Sequence, residues 1–184
     1  DTFGNIDMGR GQRVQVEFVS ANPTGPLHVG SARNAVIGDV LASVLDAAGY
    51  SVQREYYVND AGSRIRALYE TLYARYAQAL GIDEPIPEDG YHGPYMVELG
   101  TELARDYDKR FLDMFREDAL KELGAIGLRR IIAQAQEDLA VMGIRYDHWF
   151  SEQSLYENSQ YERAMEILRQ RGYVYEREGA VWFR

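Results

Sequence analysis

Val14, Val16 and Phe18 are apolar and alternate with Gln15 and Glu17, a period of two that predicts a strand over 14–18. The ladder cannot continue through Asn22-Pro23-Thr24-Gly25-Pro26, because both prolines lack an N–H and Gly25 invites a turn. Beyond that turn the apolar period lengthens. Val36, Val40 and Val44 form one row, and Ile37, Leu41, Leu45 and Ala48 form its neighbour, which predicts a helix over 31–48 with Gly49 as its stop. Residues 51–58 are rich in β-branched and aromatic side chains and read as a second strand. Strand, helix and strand at this length make a βαβ unit, with parallel strands and a right-handed crossover. That is half of a Rossmann-type fold, whose ligand sits at the carboxyl ends of the strands.

From Arg64 onward the pattern is mostly helical. Ile65, Leu68, Leu72 and Tyr76 mark a helix that stops near Gly81, and 85–90 is a loop. Leu99 and Leu103 indicate another helix. The stretch 111–142 carries Leu120, Leu123, Ile131 and Leu139, with Gly124 and Gly127 as breaks and Gly143 as its end. Asp60 reads as an N-cap for the helix after the second strand, and Ser159 with Glu162 as a capping box. Residues 174–175 and 180–184 are expected to pair as a hairpin across Arg177-Glu178-Gly179. Residues 1–12, Gly-rich and polar, read as a linker or frayed lead-in. No further parallel strand is expected, which would leave an edge of the half-sheet unpaired.

Composition narrows the class. The 184 residues are 46% hydrophobic and 27% charged, as in soluble globular proteins. No apolar run approaches a membrane span, so no membrane partner is expected. The absence of cysteine removes disulfides, thiol nucleophiles and thiolate metal sites, and is compatible with a cytoplasmic location. The three histidines, His28, His92 and His148, show no metal-ligand spacing, so no protein metal site is expected. A formal net charge of -9 argues against a stand-alone nucleic-acid binder, since phosphate binding calls for basic surface.

The candidate chemistry lies at the first turn. A strand feeding a helix through a tight loop leaves N–H groups aimed beyond the strand end, an anion site whose usual guest is a nucleotide phosphate. His28 and Gly30 form an H-x-G step at the mouth of that helix. Gly30, lacking a Cβ, lets a flat ring such as adenine approach the backbone. His28 can donate a hydrogen bond to a phosphate. In isolation the step reads as a surface histidine and a helix-start glycine. The order of strand, Pro/Gly turn, H-x-G and amphipathic helix reverses that reading.

The run Val16-Glu17-Phe18-Val19-Ser20-Ala21-Asn22-Pro23-Thr24-Gly25-Pro26-Leu27-His28-Val29-Gly30 resembles the nucleotide-binding signature of class I aminoacyl-tRNA synthetases, and more narrowly that of bacterial arginyl-tRNA synthetases. The likeness continues in family order through 32–39, 56–62, 87–93 and 149–156, covering essentially the whole chain.

The resemblance implies an α/β fold: the first half of a Rossmann-type (HUP-like) nucleotide-binding domain over 13–63, then a mostly helical connective insertion with a terminal hairpin over 64–184. The family's returning strands, K-M-S-K type loop and anticodon-binding domain are expected to have no counterpart here. It implies an arginine–tRNA ligase as the parent, in which arginine attacks the α-phosphate of ATP and the arginyl group passes to tRNA(Arg). The truncated chain alone is expected to be inactive. ATP is implied as a substrate with Mg²⁺ accompanying it, arginine and tRNA(Arg) as partners, and a monomeric parent.

The residue roles also come from the resemblance. His28 and Ser31 would be catalytic. Pro23, Thr24, Gly25, His28 and Gly30 would bind ATP. Glu17, Ser20, Asn22 and His28 would bind arginine, with Glu17 pairing the guanidinium. Asn59 and Asp60 would lie at the active-site edge. The family usually has a second histidine at the position of Ser31, and serine can supply a hydrogen bond but no imidazolium. A weakened transition-state contact is therefore expected. Two other classes fit the H-x-G step: a small nucleotidyltransferase and a non-catalytic nucleotide-binding module.

Overall fold

A computed structural model describes residues 2–184, and Asp1 of the expected lead-in lies outside the described residues. Strand β1 (Arg13–Glu17) pairs in parallel with β2 (Ser51–Val58), Val16 opposite Arg54. On its other side β2 pairs, again in parallel, with β3 (His148–Ser151), Tyr56 opposite Trp149. This third strand corrects the expectation of a two-stranded half-sheet. Four residues are too few to show a period, and the pairing depends on packing that sequence spacing cannot reveal. Trp149 stacks on Tyr56 with ring centroids 4.2 Å apart. The sheet order is β1-β2-β3, which leaves the outer edge of β1 unpaired among the described residues.

Helix α1 (Val29–Ala47) joins β1 to β2. The face it buries is made of small residues, Ser31, Ala35, Gly38 and Ala42. A Cβ on Gly38 would lie 2.2 Å from the Phe18 ring, so the glycine sets how closely helix meets strand. Val36, Ile37, Val40, Leu41 and Val44 are instead 49 to 65% exposed. The two apolar rows in the sequence are thus largely the outward face. Residues before β1 are not frayed: the N–H groups of Ile6, Gly9 and Gly11 donate to the carbonyls of Ala47, Ala48 and Gly49 at 3.0, 2.8 and 2.8 Å.

Between β2 and β3 stand α2 (Ser63–Ala79), α3 (Pro94–Tyr107) and α4 (Arg116–Val141). Leu68, Leu72, Tyr76, Met96, Leu103, Phe111 and Leu123 are fully buried and form their common core. The expected breaks at Gly124 and Gly127 do not occur, and α4 is continuous over 26 residues. These glycines serve close packing: a Cβ would lie 2.2 Å from the Tyr69 ring at Gly124 and 2.0 Å from Leu72 at Gly127. Near its end α4 carries Leu139 into the core beneath the sheet, with Ile144 just beyond it.

Two expected caps are not made. The N-cap of α2 is Gly62, without a side-chain bond, and Asp60 is engaged elsewhere. A short α5 (Gln153–Glu157) follows β3, and α6 (Gln160–Gln170) begins after Ser159, whose φ of 53° leaves its side chain without a capping bond. The expected terminal hairpin forms between β4 (Val174–Arg177) and β5 (Ala180–Phe183), antiparallel. Glu178 and Gly179, both at positive φ, make its two-residue turn.

Candidate active site

At the carboxyl end of β1 the chain makes a costly turn. Val19 and Ser20 have φ values of 65° and 42°, consecutive left-handed residues of which one is β-branched. Such positions cost on the order of 1–3 kcal/mol each and persist only when surrounding contacts over-determine them. Those contacts come from three elements. Asn34 on α1 accepts the Val19 N–H at 2.7 Å. Ser20 Oγ accepts the Tyr57 N–H at 3.0 Å. The Tyr56 hydroxyl accepts the Ala21 N–H and donates to the Ala21 carbonyl, both at 3.1 Å. Tyr146, before β3, donates to the Phe18 carbonyl at 3.2 Å. Burial pushes the Tyr56 and Tyr146 phenols above their ordinary value, so both remain protonated donors.

His28 occupies the N-cap of α1. Its Nδ1 accepts from the N–H of Gly30 at 3.0 Å and of Ser31 at 3.3 Å. An accepting Nδ1 carries no proton, so the neutral ring holds its hydrogen on Nε2. This corrects the expectation of a free anion site. The first-turn N–H groups of Gly30 and Ser31 are already satisfied by the histidine rather than free for an anion. Ser31 lies inside the first turn, 7% exposed, and is not the cap. Gly30 matters for a reason the sequence did not indicate: a Cβ there would lie 2.8 Å from the imidazole Cε1. The missing side chain lets His28 fold back over the helix end.

Around this turn opens a cavity of about 670 Å³. Of the residues predicted from sequence, Ser20, Asn22, Thr24, Gly25, His28, Gly30 and Ser31 line it. Pro23 is buried beneath, and Glu17 is exposed on β1, outside the lining. Asn59 reaches the site indirectly, donating from Nδ2 to Asn22 Oδ1 at 3.1 Å. Asp60 does not face this cavity. It lines a neighbouring one of about 430 Å³ with Arg66, Tyr69 and Glu117, and joins β2 to the β3–α5 junction.

The lining also includes Val19, Asn34, Tyr91 and Tyr95, which lie outside the residues expected from the sequence. Asn34 follows the H-x-G step by one helical turn, a signal the spacing held. Tyr91 and Tyr95 belong to the loop before α3 and to its first turn, and only the folded insertion brings them here. Among the described residues no group of three or more His, Asp or Glu side chains is placed to hold a metal ion. No helix among them is long and apolar enough to cross a membrane.

Residues 2–183 match the family model for the catalytic domain of class I tRNA synthetases (R). The arginine–tRNA ligase of Dehalococcoides mccartyi is 51% identical over 182 residues, 99% of this chain and 33% of that protein. That of Geobacillus kaustophilus is 50% identical, with the same coverage. A solved candidate arginyl-tRNA synthetase from Campylobacter jejuni superposes with a TM-score of 0.82 at 33% identity, over 99% of this chain and 39% of that one. The Thermus thermophilus arginyl-tRNA synthetase gives a TM-score of 0.61 at 26% identity, over 92% and 29%. The chain spans about a third of the length of the curated relatives it matches.

Proposed function

We propose that this chain, which belongs to the family of class I arginyl-tRNA synthetase catalytic domains, supplies the signature half of a site that activates arginine with ATP. In the whole protein the arginine carboxylate attacks the α-phosphorus of ATP, the bond to the leaving pyrophosphate breaks, and the adenylate then passes its arginyl group to tRNA(Arg). No protein nucleophile is required, so catalysis rests on positioning and on stabilising charge at phosphorus. MgATP is the substrate form, and the cytoplasm is the compartment in this reading.

The observation that carries the proposal is the His28 cap. By accepting at Nδ1, the ring keeps its Nε2 proton for a phosphate oxygen beside the 670 Å³ cavity. Thr24 and Gly25 border the nucleotide, with Pro23 holding the turn from beneath. Ser20 and Asn22 contact arginine, and Glu17 offers a carboxylate for its guanidinium from the open side of β1. Ser31 supplies one hydroxyl at the cavity wall. The nucleotide domain comprises 13–63 together with β3, and the helical insertion lies between them.

Arginine-dependent exchange of pyrophosphate into ATP tests this, measured on a polypeptide as long as the matched relatives. The expected result is exchange that requires arginine and falls at least a hundredfold in His28→Ala. Exchange independent of arginine, or undiminished in the variant, would overturn it. The chain by itself is expected to show no exchange.

A further inference from the structure

The signature turn has few bonds of its own. Pro23 and Pro26 have no N–H to give, and the Thr24 N–H is used within the turn, on the Asn22 carbonyl at 2.8 Å. The Thr24 carbonyl finds its partner 71 residues away, in the Tyr95 hydroxyl at 2.7 Å. The Tyr95 ring reaches that position between two glycines. A Cβ on Gly25 would lie 3.1 Å from the ring, and one on Gly93 would lie 2.2 Å from it. A side chain at Gly93 would force the ring to shift, and one at Gly25 would crowd it.

Tyr95 is itself held from behind. It lies in the first turn of α3, next to the fully buried Met96. The loop before it is pinned to α2, because Thr71 Oγ accepts the Tyr91 N–H at 3.2 Å and donates to the Ala67 carbonyl at 2.7 Å. Burial raises the Tyr95 phenol above its ordinary value, so it donates across the physiological range. A continuous path of contacts therefore runs from the insertion core, through α3, to the turn beside His28.

We infer that Tyr95 is a positioning residue through which the helical insertion holds the Thr24–Gly25 turn in its ATP-receiving geometry. The inference rests on the functional reading above. It assigns the insertion a part in adenylate formation: a turn released from Tyr95 must be ordered anew by each incoming nucleotide, at a cost in nucleotide affinity. Arginine, placed against the β1 end of the cavity, does not share that cost.

The test compares wild type with Tyr95→Phe, which keeps the ring and removes only the hydroxyl, in the full-length protein. The expected result is a KM for ATP raised about three- to tenfold, the size of one lost hydrogen bond, with KM for arginine within about twofold of wild type. Amide hydrogen exchange should quicken over 22–28 and stay unchanged over the buried parts of α2 and α4. Loss of folded protein alone would lower the maximal rate and leave both KM values in place, which overturns the inference. An unchanged KM for ATP, or parallel rises in both KM values, overturns it as well. Failure of the functional reading is distinguishable, because then the wild type itself shows no arginine-dependent exchange.

Discussion

Ser151 donates its hydroxyl to the Asp60 carboxylate at 2.6 Å, although 91 residues separate them. The second oxygen of the same carboxylate accepts the Gln153 N–H at 2.8 Å. One side chain at the end of β2 therefore fixes the end of β3 and the start of α5. Asp60→Ala should destabilise the fold by about 1–2 kcal/mol, because it removes two hydrogen bonds to a carboxylate that are both partly open to water. Asp60→Asn keeps one acceptor oxygen and should cost less. Urea midpoints of the two variants measure this, and equal midpoints to wild type would refute it.

Glycine positions should separate by mechanism. Gly38→Ala places a methyl 2.2 Å from the buried Phe18 ring and should cost about 1–3 kcal/mol by overpacking. Gly143→Ala meets nothing within 4 Å but sits at φ 78°, so only backbone strain of about 1 kcal/mol is expected. Chemical denaturation of the two variants reads out the difference, with the larger loss expected at Gly38.

The outward face of α1 makes an opposite forecast. Ile37 and Val44 are 65% and 60% exposed, so Ile37→Lys with Val44→Lys should change the stability of this chain by less than about 0.5 kcal/mol. Their removal should also raise solubility, since contiguous exposed apolar surface promotes association. A stability loss of several kcal/mol would show that these side chains are buried in solution.

Stability should fall in alkali. The Tyr56 and Tyr146 phenols are raised by burial, so the folded chain keeps protons that the unfolded chain releases above about pH 10. The stabilisation is complete below that pH and is lost as pH climbs toward the folded-state values. Tyr146→Phe should start from lower stability, having lost its bond to Phe18, yet lose less between about pH 9 and about pH 11. Denaturation midpoints across that range decide it. Parallel curves for variant and wild type would sink the idea.

Local order was legible in the sequence. The alternation at Val14, Val16 and Phe18, the proline-rich turn, the helix after His28 and the strand over 51–58 each need only neighbouring residues, because steric and hydrogen-bonding rules act over a few positions. The H-x-G step and the blocks around it likewise carried the family, and six of the seven predicted residues from Ser20 to Gly30 line one cavity. Tertiary structure decided the rest. Whether Val40 or Ala42 faces the sheet depends on how near Phe18 comes, not on the helical period both share. Four residues at His148–Ser151 become a strand because Tyr56 offers Trp149 a stacking face. Asp60 caps a distant helix rather than its own, and Tyr95 becomes part of the site because folding carries it to Thr24. In each case the deciding energy is a contact between residues far apart in the chain, which periodicity and local propensity do not encode.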